Sequence, residues 1–445
     1  RGSRESPSAV PAVLMRGGRR KGVFFLAADL PTNAERRDAL LLRVLGSPDR
    51  YGAQLDGVGG ATPATSRIVI LSPSLHDECD VDVLVGAVAI DEARIDFSAQ
   101  CSHLLAAVGP AAIAAGLVAP ADGSCRVRIW HAARGQRVDA FVPVREGRIV
   151  EDGRFDEDGV PFSGAEIRLE WWPPAGGRCA LIERDEGPAL GALGSGGPAL
   201  GVPGSGEPAL GAPGLRGSGG GPSGGGASGD DARAPSALPL LPTANVQERL
   251  DVPGLGPIAA TLIGGACPTV FVRAPALQLN GREKPASLAR KGALLERLEA
   301  VRAAAAVRLG VVDEAAQAAL HSPRVPALVW VDRPAAYRTT MGVDVPADRI
   351  DLLARVFIGG RVDAGMPIDV SIALAAAAAL PGSLVNELVR VLPSVAARIG
   401  HAAGVLAVGA EVSSPDGQWR LDKAVLSRTA RRLMSGVVHV PPALA

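Results

Sequence analysis

SHLLAAVGPAAIAAGL at 102–117 and DVSIALAAAAAL at 369–380 are helical runs that are apolar on nearly every face. A surface helix carries a single apolar stripe, so a helix that is apolar all round is buried on all sides. Strand-forming sequence stands around each run. Residues 22–27, 67–71 and 127–130 are rich in β-branched and aromatic side chains bounded by Gly, Pro or Ser. In the second half, 259–263 and 269–272 read as strands, and an Ala/Arg/Glu-rich helix spans 294–309 before the second apolar run. Each half therefore holds strands and one helix too hydrophobic for a surface. This predicts an α/β (α+β) protein of two pseudo-symmetric lobes, each a mixed β-sheet wrapped around a central apolar helix, with the helix N-termini facing a shared cleft. An Ala-rich chain can also contain two such runs by chance, and composition alone leaves that alternative open.

The chain of 445 residues, 47% of them hydrophobic, is long enough for more than one core. Lys+Arg and Asp+Glu each number 46, so no net charge draws the protein to nucleic acid or to an anionic membrane. Apolar stretches are interrupted before the roughly 18 to 20 residues a span requires, and the Arg-rich start lacks the apolar core of a secretory signal. The five cysteines are odd in number, with no CxxC pair and no metal-ligand spacing, which argues against a zinc site or a disulfide framework. The chain reads as soluble and cytoplasmic, with reduced thiols.

Residues 1–12 read as a flexible N-terminus and 13–185 as the first lobe. GPALGALGSG at 187–196, GPALGVPGSG at 197–206 and EPALGAPGLR at 207–216 form a ten-residue repeat that passes into a Gly/Ser-rich run. Segment 186–236 has too little side-chain mass to offset the entropy of ordering it and reads as a disordered insertion. The second lobe then spans 237–445, with its extreme C-terminus placed to pack on the first lobe.

Cys101 stands just before the first apolar helix, where unpaired N–H groups and the helix dipole favour a thiolate. The bland alternative is a small buried apolar residue. MRGGRRKG at 15–22 sets Arg16, Arg19, Arg20 and Lys21 around Gly17 and Gly18, and glycine lets backbone amides approach an anion. DGVGGATPATSR at 56–67 is a second Gly-rich turn with hydroxyls at Thr62, Thr65 and Ser66. Neither is a Walker A loop or a dinucleotide fingerprint, and as bare patterns both also fit solvated turns.

These pieces occur in the order found in the PrpF-type aconitate isomerase family, which includes 2-methylaconitate isomerases and 4-oxalomesaconate tautomerases. The blocks that carry the resemblance are MRGG..KGVFF at 15–25, LLRVLGSPD at 41–49, YG.Q.DG.GGAT at 51–62, AAVGP at 106–110, VRIW at 127–130, LDVPGLG at 250–256, PTVFVRA at 268–274 and SRTARRLM at 427–434. The resemblance implies a fold similar to that of diaminopimelate epimerase. It also implies a proton shift on a small unsaturated di- or tricarboxylic acid without metal, PLP, nucleotide or other cofactor. A homodimer is compatible with it.

By position in the family motifs, Cys101 and Arg67 are the implied catalytic residues. Arg16, Gly17, Gly18, Arg19, Arg20, Lys21, Thr65, Ser66, Gln100, Ser102, Thr243, Asn245, Cys267 and His401 are the implied substrate-binding set. Several positions depart from the pattern. Arg19 and Arg20 replace a Thr-Ser pair, and Arg67 replaces a lysine; arginine stays protonated and cannot readily act as a base, though it can hold a carboxylate. Cys101 keeps its thiol but loses both flanking glycines, with His103 two residues on. The TGTGA segment before the second helix is 367–371, PIDVS, where Asp369 is placed to cap the helix but would repel an anion. Three readings stay open: a site remodelled for a related acid, a carboxylate-binding or interaction module without activity, and two-cysteine epimerisation through Cys101 and Cys267.

Overall fold

The structure, a computed structural model, describes residues 8–97, 102–172, 238–265, 267–390 and 396–441. Cys101, Gln100 and the expected insertion at 186–236 lie outside them.

The first half runs β1 (Ser8–Gly17), β2 (Arg20–Leu26), α1 (Ala34–Leu45), β3 (Arg67–Pro73), β4 (Val81–Val88), β5 (Ile95–Asp96), α2 (Leu105–Ala114), β6 (Gly123–His131), β7 (Gln136–Arg145), β8 (Arg148–Ile149) and β9 (Ile167–Trp171). The second half begins with β10 (Glu248–Val252), β11 (Gly256–Ile263), β12 (Thr269–Arg273), α3 (Pro285–Leu288), α4 (Gly292–Arg308) and α5 (Ala318–His321). It continues with β13 (Ala327–Asp332), β14 (Tyr337–Arg338), β15 (Asp344–Val345), β16 (Leu352–Ile358), β17 (Arg361–Asp363), α6 (Ile368–Ala379), β18 (Ala397–His401), β19 (Gly404–Ser413), β20 (Arg420–Arg428) and β21 (Ala430–Val440).

The strand pairings expose the expected pseudo-symmetry. In the first half the ladder runs β21-β1-β2-β3-β4-β6-β7-β9, with β2–β3 and β4–β6 parallel and the other pairs antiparallel. In the second half it runs β10-β11-β12-β13-β16-β18-β19-β20, with parallel pairs at the matching places, β12–β13 and β16–β18. Strand β9 pairs with β20, with Trp171 opposite Ala424, so the two ladders join into one 19-stranded sheet.

Each half wraps around its apolar helix. Every residue of α6 is buried, as is almost all of α2, because Ala and Gly let strands approach a helix from all sides. A Cβ on Gly109 would meet Val142 and Ala140 of β7 at 2.7 and 3.1 Å. The segment expected to be flexible at 1–12 is β-strand from Ser8 onward, because β21 pairs with it from Ser8↔Val440 to Gly17↔Ala430. The sequence-based helix at 102–117 is shorter than expected: a 3-10 turn covers Ser102–Leu104 before α2 begins. Among the described residues no helix is long and apolar enough to cross a membrane.

Candidate active site

The MRGG turn between β1 and β2 is pressed against the start of the first central helix. Cβ atoms added to Gly17 would lie 2.9 Å from the His103 carbonyl and 3.0 Å from Leu104 Cα. Gly18 has φ +52°, and its Cβ would stand 2.8 Å from His103 Nδ1, so both the backbone angle and the space require glycine. The turn is tied from the other side by the residue between β20 and β21. Arg16 Nη1 donates to the Gly18 carbonyl at 3.0 Å and to Thr429 Oγ1 at 2.9 Å, and the Gly18 N–H donates to the Thr429 carbonyl at 2.9 Å. Burial lowers the Arg16 pKa, against an opposing pull from Glu157.

The second Gly-rich turn is built around Gln54, which is buried with φ +49°. Its Nε2 donates to Ser47 Oγ at 2.8 Å, while Oε1 accepts from the Ala61 N–H at 2.8 Å and from Ser66 Oγ at 2.6 Å. Ser66, expected to meet substrate, is thus buried and holds the turn; Thr65 Oγ1 lies 2.8 Å from Thr62 Oγ1. Arg67 Nε and Arg20 Nη1 both donate to the Pro63 carbonyl, at 2.8 and 3.0 Å. The Lys21 N–H donates to the Ala64 carbonyl. Two of the three arginine replacements seen in sequence, Arg20 and Arg67, therefore share one anchor on this turn.

Arg19 takes a different course and crosses to the second lobe, where its guanidinium lies against Gly365, just before α6. It lines a cleft with Asp156, Glu157, Asp158, Met366, His401 and Arg428. His401 is buried and its Nδ1 accepts from the Ala403 N–H at 3.3 Å. Burial, followed by the charge of Arg19, lowers its pKa to about 3. Arg428 is pushed down to about 10 by burial, which the neighbouring Glu157 opposes. Glu157 Oε2 accepts from the Thr429 N–H at 2.7 Å and from Thr429 Oγ1 at 2.8 Å.

Asp158 reaches across to accept from the Val405 N–H, and its pKa is raised, chiefly by burial. His103, two residues after Cys101, is buried, and its Nδ1 has no hydrogen-bond partner among the described residues. Burial first, and then Arg428, Arg19 and Arg20, hold its pKa well below the usual value. A neutral imidazole beside several guanidinium groups is what this local charge dictates.

The rest of the expected set is dispersed. Ser102 opens the 3-10 turn before α2. Thr243 Oγ1 donates to Glu248 Oε1 at 2.5 Å, and Asn245 is exposed. Cys267 is 1% exposed and belongs to the main apolar core. The N-cap of α6 is Pro367; Asp369 lies in the first turn, and its carboxylate accepts two hydrogen bonds from Arg134. Sequence reasoning missed Arg134, Glu157, Asp158 and Arg428. Arg428 lay within the SRTARRLM block and could have been found there; the others carry no local signal.

A family model described as PrpF protein matches residues 8–185 and 229–441. The 2-methyl-aconitate isomerase of Shewanella oneidensis is 37% identical over 443 residues, covering 97% of both chains. The 3-methylitaconate isomerase of Eubacterium barkeri is 30% identical, covering 98% of both. Among solved structures, a methylitaconate-delta-isomerase superposes with a TM-score of 0.78 at 29% identity, covering 99% of this chain and 97% of that one.

Proposed function

The chain belongs to the PrpF family, and from that membership we propose that it is an isomerase that moves a proton within a small unsaturated di- or tricarboxylate in the cleft between its lobes. The observation that carries this reading is the similarity over 97% of the chain to the 2-methyl-aconitate isomerase; Arg19 and Arg428 supply guanidinium groups to the cleft, beside Asp156, Glu157 and Asp158. In the reaction, a base takes a proton from the carbon next to the alkene. The electron pair spreads over the alkene and carboxylate as a dienolate, and the proton returns at the far carbon. Guanidinium groups held in place before the charge develops stabilise that dienolate more than the starting acid.

Cys101 is our choice for the base, since it precedes the first central helix. Arg67, anchored on Pro63, serves as a cation rather than as a proton carrier. No cofactor enters this scheme. Proton NMR of cis-aconitate, trans-aconitate and 2-methylaconitate in deuterated buffer tests it. We expect deuterium exchange or isomer conversion that vanishes in Cys101→Ala; folded protein that exchanges none of these acids would favour the binding-module reading instead.

A further inference from the structure

Residues 150–166, between β8 and β9, fold back on themselves. A two-way bridge between Phe155 and Gly164, with N···O distances of 3.0 and 3.1 Å, closes the base of this loop. Its tip, 156–163, leans over the cleft: Asp156, Glu157 and Asp158 line the cleft, and a Cβ on Gly159 would meet Arg19 Cδ at 2.5 Å. Little apolar surface holds the tip down. Asp156, Gly159, Pro161, Phe162 and Ser163 are exposed, Phe162 at 71%.

Among the described residues, the hydrogen bonds from the tip to the rest of the protein come from two neighbouring carboxylates. Glu157, itself buried, accepts from the Thr429 N–H and Oγ1 at the junction of β20 and β21. Asp158 crosses to the other lobe and accepts from the Val405 N–H in β19. Gly404 makes room for it, since a Cβ there would fall on the Asp158 carboxyl group. Strand β19 pairs with β20 only from Val408 onward, which leaves the Val405 N–H to Asp158.

This arrangement leaves about 40 Å³ free in the cleft, room for about three waters. An unsaturated di- or tricarboxylate is larger than that. The segment over the cleft is closed at its base by backbone bonds, fastened at its tip by polar ones, and carries an exposed aromatic ring. Few buried apolar contacts and a polar fastening mark the parts of a fold that open first.

Resting on the isomerase reading above for what the cleft admits, we propose that the 156–163 tip is a strap latched by Asp158 onto Val405, and that the acid passes in and out when this latch opens. Glu157 on Thr429 is the pivot. Seated again, the strap keeps water from the dienolate.

Hydrogen exchange on the full chain reads the latch at one amide. Val405 should exchange about a hundredfold faster than the β19 amides that ladder with β20. Gly404→Ala evicts Asp158 and leaves every cleft charge in place, while Asp158→Asn weakens the bond; each should speed Val405 exchange about a further tenfold. The association rate of trans-aconitate, from NMR line shapes across a titration, should rise by a similar factor in both variants. Salt separates the latch from simple charge removal: at about 1 M, exposed charges reach only about 3 Å, and the Asp158→Asn gain should persist. Should Gly404→Ala fail to fold, that salt-resistant gain carries the test alone. A Val405 amide as slow as the ladder, faster Val405 exchange with an unchanged association rate, or an Asp158→Asn gain that salt abolishes overturns the proposal. Variants that free Val405 while no acid binds any of the three proteins keep the latch and remove the isomerase reading. Turnover of an acid whose entry is indifferent to the latch does the reverse.

Discussion

His401 and His103 are buried imidazoles close to guanidinium groups, and both are held neutral. The linkage has a definite sign. His401 titrates near 6.5 in the unfolded chain and near 3 in the fold, so between those values only the unfolded state takes up the proton. Its contribution is complete above about pH 6.5 and is lost as pH falls toward 3. His131, also lowered to about 3 by burial and then by Arg134, acts in the same direction. Thermal melts should therefore show a falling Tm from pH 7 to pH 4.5, and His401→Gln should shrink that fall; an equal fall in the variant would contradict this assignment. Arg67 invites the opposite kind of experiment. If its position is the one that carries protons in relatives, Arg67→Lys should raise the NMR exchange rate about tenfold or more, with a gain toward alkaline pH. An unchanged or slower rate would assign the position to carboxylate holding alone. Sequence singled out Arg16, Arg19, Arg67 and His401, because charge beside glycine is legible in a line of text. It did not reveal that Arg20 and Arg67 share the Pro63 carbonyl, nor that Asp369 has a partner 235 residues away. Such partners depend on which turns the sheet brings together.

At the scale of elements, the two apolar helices were the most legible feature. The expected run at 369–380 is α6 at Ile368–Ala379, and the expected helix at 294–309 is α4 at Gly292–Arg308. A helix with no polar face has few places to go, so the pattern is hard to misread. Strand cores were found and strand ends were not: the reading at 127–130 recovered the middle of β6, which extends over Gly123–His131. Polar and glycine positions at strand ends obey neighbours rather than local propensity. The Gly-rich turn at 56–67 shows how such a neighbour acts. Gln54 braces it from within, through Ser47, Ala61 and Ser66. Gln54→Ala strands those groups and should lower unfolding free energy by about 2 kcal/mol in urea titrations. It should also weaken acid binding, since the Pro63 anchor of Arg20 and Arg67 rides on the same turn. A variant as stable and as tight as wild type would show that the turn is held elsewhere.

For the whole molecule, two lobes could be predicted from repetition, but their fusion into one sheet could not. The β9–β20 pairing and the β1–β21 pairing each join residues hundreds of positions apart, and no window of sequence contains both partners. Thr429 is the single residue at which the chain leaves one ladder for the other, and Arg16, Gly18 and Glu157 all bond to it. Truncation after Arg428 removes β21 and uncovers β1 along its length. We expect the shortened protein to lose its cooperative thermal transition, and in particular the protection of β1 amides in hydrogen exchange. A truncated protein with native β1 protection would show that the first ladder closes without its last strand.

The placement of β21 also orders events during synthesis. Strand β1 leaves the ribosome some four hundred residues before the strand that covers it. The first lobe therefore cannot complete its sheet until β21 has been made, although domains usually fold as units during synthesis. Its apolar β1 edge must wait for some four hundred further residues, a separation of partners that slows folding and leaves an open strand for other chains to find. Expression yield of this protein should accordingly depend more on chaperone supply and translation rate than its final stability would suggest.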